Sequence, residues 1–95
     1  MNLQQLAMDS LFIMRRLGEM LPPEEHTHRA FIYHLHTQGK ATVDIFVNEA
    51  IEIAHNGGMM RQDGTPRTTG GIFFRLTHKA GWERQSQRIK RRLAR

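Results

Sequence analysis

NGGMMRQDGTPRTTGGIFFR, residues 56–75, is the stretch whose reading decides what kind of domain this chain forms. It holds five of the eight glycines, an Asp63-Gly64 turn signal and three arginines. Glycine at that density marks backbone that turns sharply or comes very close to something else. Patterned apolar segments lie on both sides, so the stretch is a structured connection between helices. Gly70 and Gly71 open the second of those segments. Free amides at a helix start attract anions, and with Arg61, Arg67 and Arg75 around them phosphate is the expected one.

Upstream, Val43, Phe46, Val47, Ala50, Ile51 and Ala54 repeat at three- and four-residue steps, the pattern of an amphipathic helix. Thr42 is placed to cap it, and Asn56-Gly57 to end it. An earlier helix is expected over residues 2–21, carrying Leu3, Leu6, Ala7, Leu11, Met14, Leu17 and Leu21 and stopped by Pro22-Pro23. The same prolines, followed by Glu24 and Glu25, suit the first turn of a second helix reaching about Gln38, with Gly39 as its cap. Ala30, Phe31, His34 and Leu35 belong to its inner face.

Downstream, Thr68 or Thr69 is placed to cap a fourth helix through about Ala80. On it Ile72, Phe73, Leu76 and Ala80 share one side, while Phe74 and His78 fall opposite. Asp63-Gly64 suggests a tiny hairpin between residues 59–61 and 66–68. Gly81 separates a last helix over residues 82–93, with Trp82, Ile89 and Leu93 as its apolar stripe. The expected fold is all-α. It is one domain over residues 1–95, a compact bundle of about five helices with a glycine-rich loop between the third and fourth.

Charge is unevenly distributed. Residues 1–60 carry four Lys or Arg against seven acids, net −3, whereas residues 61–95 carry ten against two, net +8. A basic third of this kind is how a polyanion-binding surface looks in sequence. The absence of cysteine excludes disulfides, thiolate metal sites and cysteine nucleophiles. Met1 to Met20 has no secretory pattern, and the apolar runs fall far short of the roughly 20 residues a membrane span needs. The expectation is a soluble, cytoplasmic protein with no membrane association.

Several side chains invite specific chemistry. Phe74, off the core side of the fourth helix, is a candidate platform for stacking a base. Arg61, Arg67, Arg75 and Lys79 are candidate phosphate contacts. Arg84, Arg88, Arg91 and Arg95 form one stripe on the last helix, where mutual repulsion would be relieved by an anionic partner. His26 and His28, like His34 and His36, are spaced to point to different faces, so no metal site is expected. Ser10 and Ser86 lack a nucleophile motif, and Glu49 and Glu52 lie on an outward face. Neither catalysis nor a cofactor is expected.

Residues 50–79, AIEIAHNGGMMRQDGTPRTTGGIFFRLTHK, resemble the RNA-binding domain of the phosphorylated adaptor for RNA export family. The elements that carry the resemblance, in order, are Asn56-Gly57-Gly58, Met59-Met60, Asp63-Gly64, Arg67-Thr68 and Gly70-Gly71-Ile72-Phe73. The chain departs from the pattern at Thr69, where a Thr-Pro-Gly-Gly version has proline. The resemblance implies an all-helical module that binds single-stranded RNA with limited sequence preference; single-stranded DNA is a separate candidate partner. It implies RNA contacts at Arg61, Arg67, Thr68, Gly70, Gly71, Arg75 and Lys79. The family's nuclear export role is not carried over to these 95 residues. Two other classes remain open on the residues alone: a DNA-binding regulator with a helix in the major groove, and a protein-interaction module docking an acidic partner.

Overall fold

Two of the four described helices start where a side chain meets a free amide. In the computed structural model, which describes residues 2–82, Asn2 Oδ1 accepts the Gln5 N–H at 2.7 Å and opens α1, Leu3–Arg16. A side-chain cap of this type contributes about 1 kcal/mol. α2, Glu25–Gln38, and α3, Lys40–His55, share a single residue, Gly39, as cap of the one and start of the other. At φ 83° and ψ 154°, Gly39 occupies a region open in practice only to glycine. The corner is so tight that Thr42 lies inside the first turn of α3 rather than capping it.

α1 also ends earlier than its apolar repeat implies, at Arg16 instead of at the double proline. The Gly18 N–H donates to the Arg15 carbonyl at 3.1 Å and the Glu19 N–H to the Met14 carbonyl at 2.9 Å. These paired bonds close a helix end around a glycine in the left-handed region. The chain then crosses to α2 through exposed Leu21 and Pro22. α4, Thr69–Lys79, completes the described elements. Of the fifth helix expected over residues 82–93, all but Trp82 lies outside the described residues.

The helices stack in chain order, α1 on α2, α2 on α3 and α3 most extensively on α4. α1 and its C-cap bring Leu6, Ile13, Met14 and Leu17 to the core, and α3 adds Val43, Val47 and Ala50. Other core residues are aromatic. Phe31 of α2 stacks on Phe73 of α4 with centroids 5.2 Å apart, and Trp82 lies 4.3 Å from Phe46 of α3 and 5.3 Å from His34 of α2. Ring pairs of this geometry add about 0.5–1.5 kcal/mol beyond the area they bury. Thr77 is fully buried in this layer, and its hydroxyl donates to the Phe74 carbonyl at 2.9 Å. Among the described residues no helix is long and apolar enough to cross a membrane.

Candidate nucleic-acid interface

The loop after α3 is built almost wholly from its own backbone. Gly57 and Gly58 carry positive φ of 105° and 77°, which lets the Gly58 N–H reach back to the Ile53 carbonyl at 2.9 Å. The chain then doubles back on itself: Met60 and Pro66 form an antiparallel bridge. The Arg61 N–H donates to the Thr65 carbonyl and the Arg67 N–H to the Met59 carbonyl, each at 2.8 Å. Inside this ladder the Gly64 N–H reaches the Arg61 carbonyl at 3.0 Å, the pattern of a short hairpin loop. The Asp63 carboxylate accepts from the Thr65 hydroxyl at 2.6 Å and from its N–H at 3.0 Å. Those bonds, with the nearby Arg61 charge, hold Asp63 below the usual carboxylate range.

The hairpin delivers Arg67 to the outer side of α4. A Cβ added at Gly71 would lie 3.6 Å from the Arg67 Cβ, so Arg67 starts out beside this helix at its glycine. Gly71, Arg75 and Lys79 follow at four-residue steps and therefore share a face. Arg67, Arg75 and Lys79 thus form a line along the outer side of α4, with Arg61 on the adjoining hairpin. Residues 64–82 contain no acid to interrupt it. Arg67 and Arg75 are half-buried and Lys79 is exposed, which is how long basic side chains lay their stems on a surface and keep their heads in water. Buried Nε of Arg67 meets no acceptor among the described residues. Arg61 is exposed and donates weakly to the Pro66 carbonyl at 3.4 Å.

Three expectations change. The first concerns the helix amides. Thr68 is the cap of α4, and its Oγ1 takes the Gly71 N–H at 3.0 Å while its carbonyl takes the Ile72 N–H at 2.9 Å. Of the amides expected to be free there, that of Gly71 is therefore used by the protein itself. The second is Gly70, which is buried; a Cβ at that position would collide with the Glu19 carboxylate. Gly70 is needed for that close approach, and a carboxylate at a helix N-terminus is itself favourable. The third is Phe74, which packs on the core instead of standing off it. Its ring lies 5.0 Å from Phe31 and 5.4 Å from Phe73. Arg84, Arg88 and Arg91 lie outside the described residues.

Glu19 escaped the sequence reading. Only its place just after a glycine helix stop hinted that its direction is set by a turn, and nothing local points from there to Gly70.

An all-helical domain whose glycine-rich hairpin feeds a line of cations onto one helix is the class defined by these features. A family model described as Phosphorylated adapter RNA export protein, RNA-binding domain, matches residues 13–93. The match spans most of the chain, which belongs to that family. No curated protein and no solved structure matches it.

Proposed function

We propose that this protein is a non-catalytic binder of single-stranded RNA with little sequence preference, and that the strand runs over the hairpin and along the outer side of α4. The observation that carries this reading is the acid-free line of Arg67, Arg75 and Lys79, continued by Arg61. Membership of a family named for RNA binding supports RNA as the polyanion. Neighbouring side chains at this helical spacing lie about 5–6 Å apart. A flexible strand can follow such a line across the bend into the hairpin, whereas a rigid duplex touches only part of it. Contacts to phosphate position a nucleic acid without reading its bases, hence the weak sequence preference. Gly71 and Thr68 belong to the site as its support: the one gives Arg67 room, the other fixes the first turn of α4.

The test is a titration of labelled single-stranded RNA, single-stranded DNA and both duplexes at two salt concentrations. Single-stranded RNA should bind best, single-stranded DNA more weakly, and log affinity should fall with log salt by about 0.7 for each phosphate engaged. Affinity indifferent to salt, or a clear preference for duplex DNA, would overturn the proposal in favour of a protein-docking or DNA-regulatory role.

A further inference from the structure

The outer line of cations accounts for phosphates and leaves the bases without a partner. A groove of about 390 Å³ opens between the end of α1, the last turns of α3 and the start of α4. Leu17, Ile51 and Ala54 line it, the first buried and the others half-buried, so they form an apolar floor. Arg16 and His55 line it too and are exposed, as a rim is; Thr69 joins it directly to the Thr68 cap and so to the proposed RNA path. Its volume falls in the range of clefts that hold small organic groups, about 300–1,000 Å³.

Charge decides which part of a nucleotide fits. Arg16 already donates to Asn48 and lies 3.9 Å from the Asp44 carboxylate. On the other side the Glu19 carboxylate lies against Gly70, the residue next to Thr69. A phosphate brought here would meet a guanidinium that is already matched and carboxylates close by. A base is uncharged, planar and apolar on both faces, and unstacked bases lie well on imidazole rings and guanidinium planes. We infer that this groove receives one base, turned out of the strand that runs along α4. The inference rests on the RNA reading above and adds to it a place where bases are held.

The test uses single-stranded RNA carrying the fluorescent base 2-aminopurine at successive positions, titrated into the full chain and into His55→Ala and Ala54→Leu variants. His55 is exposed, so its truncation leaves the fold intact, and thermal melts check the groove-filling Ala54→Leu. The expected result is a position-dependent fluorescence change with the unaltered protein, and about tenfold weaker binding by each folded variant. The salt slope should be unchanged, because no phosphate contact is lost. Variants that bind like the unaltered protein would overturn the groove assignment alone, with His55→Ala sufficient to decide if Ala54→Leu does not fold. A reduced salt slope in His55→Ala would overturn it as well, since phosphate would then be the occupant. No RNA binding by the unaltered protein at low salt would bring down the RNA reading, and this inference with it.

Discussion

Ile72, Phe73 and Thr77, on the inner side of α4, are fully buried, while Gly71, Arg75 and Lys79 on its outer side meet solvent. The inner face is held by rings from α2 and by Trp82, each filling space the others define. On the outer face the Arg67 Cβ lies beside Gly71, and Arg75 is half-buried while Lys79 is exposed. One short helix therefore carries stability and proposed binding on different side chains, and substitutions should separate the two.

The largest effect is expected inside. Phe73→Ala should lower stability by about 3–5 kcal/mol, as truncation of a buried aromatic does. Denaturant melts measure it, and a loss under 1 kcal/mol would mean that the inner face is not where the fold is held. Arg67→Ala combined with Arg75→Ala should act in the opposite way. Melting should stay within about 0.5 kcal/mol of the parent. RNA binding should weaken by about 10–100-fold, and the salt slope should drop by about 1.4 for two lost phosphate contacts. Intact binding by the folded double variant would remove these residues from the site.

Glycine pairs sharpen the same contrast. Gly58→Ala should cost about 1–2 kcal/mol, because the open space around it does not relieve its positive φ. Gly70→Ala should be close to neutral in a melt. The helix gains about 0.5–1 kcal/mol from alanine and loses about as much when Glu19 is displaced from its N-terminus. Equal losses at both positions would show that the pairs play the same role.

The smallest effect is at the hairpin tip. Asp63 titrates below its ordinary value, so what its hydrogen bonds contribute is complete above about pH 3.9 and disappears as pH falls through the lower folded-state value. The Thr65 amide resonance should follow that titration while the core rings of α4 do not respond, and Asp63→Asn should abolish it.

What could be read along the chain was what local rules govern. Apolar periodicity located α2, α3 and α4, and the pair Thr68-Thr69 announced the start of α4, because a hydroxyl at a helix start meets a free amide three residues on; Thr68 is the one that does. Gly18 was an equally local stop for α1, masked by the more conspicuous Pro22-Pro23. Phe74 misled for a different reason. A helical wheel assumes one direction for the core, whereas Phe31 packs against both Phe73 and Phe74 and widens the buried arc of α4.

Sequence by itself determined the helical class, the turn around Asp63 and Gly64, and the concentration of positive charge in the last third. Each depends on residues within a few positions of one another or on composition alone. Only the tertiary structure decided that Glu19 lies against Gly70, and that a groove joins Arg16 to His55 and Thr69. Those relations depend on where a chain reversal places residues far apart in number, and no spacing rule along one helix contains that information.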